Sequence, residues 1–291
     1  MLNLECKPES SIEFLKSFSP EHLWPLTAIY PKGIPGLSER EANIHTKTFL
    51  PEDYEECKKW IQAMNSRGWN IYFSINPPKK LLNKKAKKED IAEIRWLYVD
   101  IDPRAGEPLE KEQARIKALL TTNLPAGIPK PTFIINSGGG MWGLWRLGMP
   151  YMLAYPEDKH TQAIADSFIK MAESQAFHLE RIFGADACRN IDRICRLPGT
   201  VNYPDKSKLD KGRQPVLAEL IEGDQARVYA RGEFPFLNEI YGHNVIGLSP
   251  IKDLKSDSDI EIPLNNIDDL DQWAVSRRIK QIVLYGRVLD E

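Results

Sequence analysis

Two acids in the stretch Trp96-Leu-Tyr-Val-Asp100-Ile-Asp102-Pro103 stand two residues apart at the end of an apolar run. In an extended strand successive side chains alternate faces, so Asp100 and Asp102 project to the same side, a few Å apart. Adjacent carboxylates repel and raise one another's pKa unless a cation lies between them. The hard ions Mg²⁺ and Mn²⁺ suit that role, because they bind through one or two carboxylates and complete their shells with water and phosphate oxygens. A pair of such ions can stabilise both the entering and the leaving oxygen of a phosphoryl transfer. A DxD before a proline turn also occurs with no chemistry attached, so the pair gains meaning only from its company.

Ser137-Gly138-Gly139-Gly140 supplies part of that company. Consecutive glycines let the backbone approach a ligand closely and aim N–H groups at phosphate oxygens. No Lys-Ser/Thr follows, so this is not a Walker loop, and the spacing is not that of a dinucleotide fingerprint. A plain hairpin turn has the same composition. The third piece runs from Asp186 through Asp192, Arg193 and Arg196 to Leu-Pro-Gly-Thr-Val-Asn202. Asp192 is the chosen third carboxylate, with Asp186 as the alternative. Arg193 or Arg196 would neutralise a triphosphate. An Asp-Arg pair securing a surface turn is the plainer reading of this piece alone.

These residues need elements to position them. EDYEECKKWIQAM from Glu52 to Met64 has helical spacing, with Trp60, Ile61 and Met64 on one apolar face. WNIYFSINPP, bounded by Gly68 and Pro77, reads as a strand. IRWLYVDID is a second strand, so continuously apolar that it belongs in a sheet interior with both faces covered. A helix follows from about Leu109 to Leu120. PTFIINS and WGLWRL then form antiparallel strands joined by the glycine turn. A long helix from about Glu157 to Phe183 carries Ile164, Phe168, Met171 and Ala172 at helical spacing. RICRL and PVLAELIE are further strands. The catalytic domain is expected over 1–247 and a polar, acidic linker over 248–266. Residues 267–291 would begin a C-terminal helical region, truncated or appended.

With 42% hydrophobic and 27% charged residues in 291, the composition is that of a soluble globular chain with room for a sizeable core. The N-terminus lacks the basic and apolar regions of a signal peptide, and no apolar stretch approaches the roughly 20 residues of a spanning helix. The expectation is a cytoplasmic protein with no membrane contact. Cys6, Cys57, Cys188 and Cys195 form no CxxC pair, which argues against a disulfide framework and against zinc. The net charge of −2 is a sum over uneven parts. Lys79, Lys80, Lys84, Lys85, Lys87 and Lys88 crowd into ten residues, while acids gather near the C-terminus. Phosphate binding depends on such local clusters rather than on the total, so the lysines are candidates for nucleic-acid binding; a solvated loop is the ordinary alternative.

Taken in order, WNIYFSINP, WLYVDIDP, FIINSGGGMWGLWRL and DRICRLPGTVNYP resemble the archaeo-eukaryotic primase (AEP) superfamily, above all the RepB-prime-like and primase-polymerase groups of plasmids and phages. The likeness spans about Gly68 to Pro204. It implies an α+β fold of mixed, largely antiparallel sheets with flanking helices, including an RRM-like unit. It further implies a DNA primase or primase-polymerase that joins NTPs or dNTPs on a single-stranded DNA template, with a helicase as partner or fused region. In that scheme Asp100, Asp102 and Asp192 hold two Mg²⁺ or Mn²⁺ ions. Ser137, Gly138, Gly139 and Gly140 hold the triphosphate, and Arg193 and Arg196 contact nucleotide or template. The chain departs from the pattern at Trp142, where many members carry a basic or amide side chain. An indole N–H makes only a neutral hydrogen bond, although its face can stack on a base. Two rival functions follow: a template-binding replication module with weakened catalysis, and a DxD-dependent nucleotide-sugar transferase. The latter leaves RLPGTVN unexplained. A nicking relaxase fits less well, since His22, His45, His160, His178 and His243 are scattered.

Overall fold

The computed structural model describes residues 4–36, 42–153 and 159–234. The elements run α1 (Pro8–Phe18), β1 (Trp24–Ile29), β2 (Ile44–Phe49), α2 (Tyr54–Asn65), β3 (Asn70–Ser74), β4 (Glu93–Ile101) and α3 (Leu109–Thr121). They continue with β5 (Phe133–Asn136), β6 (Met141–Met152), α4 (Lys159–Phe183), β7 (Ile194–Arg196), β8 (Val201–Asn202) and α5 (Lys206–Asp210). Three short strands close the described part: β9 (Val216–Leu217), β10 (Glu219–Gly223) and β11 (Val228–Tyr229). The expected linker at 248–266, the helical region at 267–291 and the last residues of the expected catalytic domain lie outside the described residues.

One sheet has the order β2-β1-β3-β7, antiparallel throughout. The other places β5 and β10 to one side of β6 and β4 to the other, with β11 joining β6 in parallel. This is the expected α+β architecture of largely antiparallel sheets. Helix α1 is the wedge between the sheets. Its Phe14 meets Phe73 of β3 edge-on at 5.0 Å, and its Phe18 stacks on Trp96 of β4 at 4.3 Å. Such aromatic pairs bury large areas and favour these offset and edge geometries. On the far face of the second sheet α4 packs against β4 and β6, with Phe183 beside Trp145. No helix among the described residues is long and apolar enough to cross a membrane.

Two expectations change in detail. Strand β4 is buried on both faces, as its apolar run implies, yet β6 is its only strand partner among the described residues. Its second flank is a sheet margin. The run PVLAELIE is not one strand but two, because Ala218 between them accepts from Gly199 N–H and donates to the carbonyl of Thr200, each at 2.8 Å. The Pro198-Gly199-Thr200 turn thus takes the middle residue of the run for itself. In α4, Phe168, Met171 and Ala172 are buried while Ile164 is exposed.

Candidate active site

Strand β4 delivers Asp100 at its end, opposite Trp142 of β6, and Asp102 follows just past it. The glycine turn between β5 and β6 abuts the same strand end. A Cβ added to Gly140 would lie 2.3 Å from the carbonyl oxygen of Ile101 and 2.6 Å from Oδ1 of Asp102. Only glycine allows that approach. Gly138 adopts φ +92°, a left-handed conformation that also favours glycine.

The third acid arrives at the open margin of β4. The N–H of Asp186 donates to the Asp100 carbonyl at 2.9 Å, which brings the loop after α4 against the strand end. Glu180, buried near the end of α4, fixes that loop. Its carboxylate accepts from the Cys188 N–H at 2.6 Å and from Arg189 Nη1 at 3.3 Å, and its carbonyl accepts from Ala185 N–H at 2.8 Å. Burial pushes the Asp100 carboxyl up to about 7, the Asp102 and Asp186 charges add to the shift, and Arg193 and Lys208 oppose it. Asp186 is also raised, first by desolvation and then by the charge of Asp102 and a hydrogen bond to it. The Asp102 charge thus bears on both Asp100 and Asp186.

The remaining residues of the third segment divide by partner. Arg193 turns to the acids: its Nη2 is 3.8 Å from Asp100 Oδ2, and its guanidinium lies over the Trp142 ring at 5.9 Å. Trp142 is buried, between this arginine and Tyr98, so its face is already occupied. Asp192 pairs with Lys85 at 3.7 Å and lies near Tyr98, and its buried Oδ1 has no hydrogen bond. Arg196 stacks on Tyr72 at 4.2 Å and donates from Nη2 to its hydroxyl at 2.8 Å, while Nε and Nη1 have no partner. Burial lowers its pKa. Asp186, the alternative in the sequence, is thus the acid that stands with Asp100 and Asp102. The signal that distinguishes it is its place directly after the long helix, where a loop can reach the margin of β4.

Ser137 commits its hydroxyl to the turn, donating to the Gly140 carbonyl at 2.9 Å. The lysine-rich segment is anchored rather than loose. Leu82 N–H donates to Thr48 Oγ1 at 3.0 Å, that hydroxyl donates back to the Leu82 carbonyl at 2.8 Å, and Leu82 and Ala86 are buried. Lys79, Lys80, Lys84, Lys85, Lys87 and Lys88 all remain exposed on it. Lys88 pairs with Glu173, and Lys87 with Glu89 at 3.9 Å.

The donor set at the strand end is hard oxygen, which suits Mg²⁺ or Mn²⁺. Among the described residues no group of three or more His, Cys, Asp or Glu side chains is placed to hold a metal ion by itself. A metal here would therefore take part of its shell from water and phosphate, as open catalytic sites do.

No family model matches the chain. It is similar to a replication protein of Clostridium perfringens, 23% identical over 186 residues, covering 56% of this chain and 42% of that protein. The chain thus spans less than half the length of this relative. A solved structure of the primase RepB′ is similar at a TM-score of 0.44 and 10% identity, over 94% of this chain and 67% of that one. The AEP domain of the cyanophage S-2L primase-polymerase superposes with a TM-score of 0.52 at 14% identity, over 79% of this chain and 97% of that domain. The fold of this chain is that of an AEP domain.

Proposed function

We propose that this site performs template-directed nucleotidyl transfer, as the primase or primase-polymerase of a plasmid, phage or related replicating element. The observation that carries the reading is the convergence of Asp100, Asp102 and Asp186 beside a glycine turn, with Arg193 3.8 Å from Asp100. In the reaction a 3′-hydroxyl attacks the α-phosphate of a nucleoside triphosphate. The new bond joins that oxygen to phosphorus, and pyrophosphate leaves. Asp100, Asp102 and Asp186, with water and phosphate oxygens completing the shell, would hold Mg²⁺ or Mn²⁺, which would supply Lewis acidity to the hydroxyl and to the leaving group. Arg193, held over Trp142, would supply the positive charge that Trp142 itself lacks. The exposed lysines at 79–88 would carry the template strand by contacts with its backbone.

The test is primer synthesis on single-stranded DNA with labelled NTPs and dNTPs and either Mg²⁺ or Mn²⁺. Asp100→Ala and Asp102→Ala are expected to abolish synthesis while circular dichroism remains that of the wild type. Undiminished synthesis by the double variant would eliminate the assignment.

A further inference from the structure

Every carbonyl of the glycine turn points into the protein. The Ser137 carbonyl accepts from Asn202 Nδ2 at 2.6 Å. Those of Gly138 and Gly139 accept from Gln113 Nε2 at 3.4 and 3.2 Å. That of Gly140 accepts from the Ser137 N–H at 3.0 Å and from its hydroxyl at 2.9 Å. In a planar trans peptide the C=O and the following N–H are antiparallel. Holding the Gly138 and Gly139 carbonyls towards Gln113 therefore turns the N–H groups of Gly139 and Gly140 away from α3. The Gly138 N–H is used by Asn136 Oδ1 at 2.8 Å, whereas those of Gly139 and Gly140 donate to no described group. Backbone donors in folded chains rarely stay unpaired, and successive free amides in a turn form a receptor for anions.

We infer that Gln113 is a positioning residue that presents the Gly139 and Gly140 amides to a phosphate group, taken here as that of the nucleoside triphosphate on the strength of the proposed reaction. Asn202 holds the Ser137 carbonyl, whose partner amide at Gly138 is already taken by Asn136, and so ties its own segment to the turn without presenting a free amide. Neither side chain touches the ligand. Gln113 is well placed for this because Glu112, beside it in the first turn of α3, anchors the loop after the acids. The buried Glu112 carboxylate accepts from the Arg104 N–H at 2.9 Å and from the Arg104 and Arg115 guanidinium groups at 2.7 Å each. One helical turn thus grips both the acid loop and the glycine turn.

Gln113→Met keeps the length and helix preference of the side chain and removes its donor. Calorimetry on the full chain would compare Mn²⁺ alone, inorganic tripolyphosphate with Mn²⁺, and dATP with Mn²⁺. The expected result is about threefold weaker binding of both phosphate probes, in keeping with the loss of two long hydrogen bonds from one amide nitrogen. KM should rise with little change in kcat, and Mn²⁺ affinity and melting temperature should hold. Gln113→Glu, which sets oxygens against the two carbonyls, should repeat the loss and serves if the Met variant fails to fold. Unchanged dATP affinity in a folded variant overturns the inference, as does a matching loss of Mn²⁺ affinity or of thermal stability, and so does a wild-type chain that binds neither probe. Binding of dATP without any primer synthesis would instead count against the proposed reaction and leave the role of Gln113 standing.

Discussion

Strand β4 and the loop after α4 supply acids to the same corner by different physical means. Asp100 is carried by a nine-residue strand buried on both faces, whose period sets its direction. Asp186 is carried by an irregular loop held by hydrogen bonds to the Asp100 carbonyl, to Glu180, from Tyr98 to the Asn190 carbonyl and from Asn76 to the Ile191 carbonyl, with Cys188 and Ile191 buried. The period of a buried strand fixes the direction of the first acid, whereas individual polar contacts and two buried side chains fix the second.

The sharpest way to break the comparison is to exchange the candidate third acids. Asp186→Ala is expected to lower primer synthesis by about a hundredfold or more, in the range of other lost electrostatic groups in transfer sites. Asp192→Asn should stay within a few-fold of wild type, since its carboxylate pairs with Lys85. The reverse order of effects would make Asp192 the third acid. Next comes Glu180→Ala. It strands the buried Cys188 N–H and should cost about 1–3 kcal/mol in urea unfolding, with a larger fall in activity than in single-strand binding. Glu180→Gln, which can still accept from Cys188, should recover most of both.

Asp100 also makes the metal-free fold sensitive to pH. Its carboxyl is raised to about 7 from an ordinary value near 3.8, chiefly by burial. The folded state therefore holds the proton more tightly than the unfolded one. That contribution is fully present below about pH 4 and is lost as pH rises through about 7. Asp100→Asn should accordingly stabilise the metal-free chain by roughly 2 kcal/mol at pH 8, with the gain shrinking at pH 5. Adding Mn²⁺ should raise the melting temperature of wild type and not of the variant. Equal stabilisation at both pH values would contradict the burial account. The smallest effects belong to the anchored lysines. Lys80→Ala or Lys84→Ala should each weaken single-stranded DNA binding a few-fold, reduce its salt dependence by roughly 0.7 per contact, and leave the melting temperature alone.

The regular elements that carry the candidate site were legible in the sequence and the irregular segment was not, for the same reason. Alternation and apolar runs disclose β4 and the β5–β6 hairpin, and with them Asp100, Asp102 and the glycine turn. The choice between Asp186 and Asp192 turns on where a loop ends and on which side of β7 its residues fall, and no period runs through residues 184–193. Arg193 and Asp192 are neighbours in the chain and take different partners, one Asp100 and the other Lys85. The lysine cluster gave the composition of a loop. Its anchoring depends on Leu82 and Ala86 being buried while Leu81 is exposed, which three nearly equivalent apolar residues among lysines do not announce. Gln113 carries no signal of its own: a glutamine in a helix is ordinary until its carbonyl partners are known.

Gly140 sits where a single added methyl would strike the backbone of Ile101 and the side chain of Asp102. The acid pair and the phosphate turn consequently share one wall and cannot drift apart independently. Under the proposed reaction, a substitution that alters how a nucleotide is held while sparing the acids would act through surrounding supports such as Gln113 or the Trp142–Arg193 contact. The tight contact at Gly140 leaves the centre of the site no room for a larger residue and leaves room for change to the neighbours.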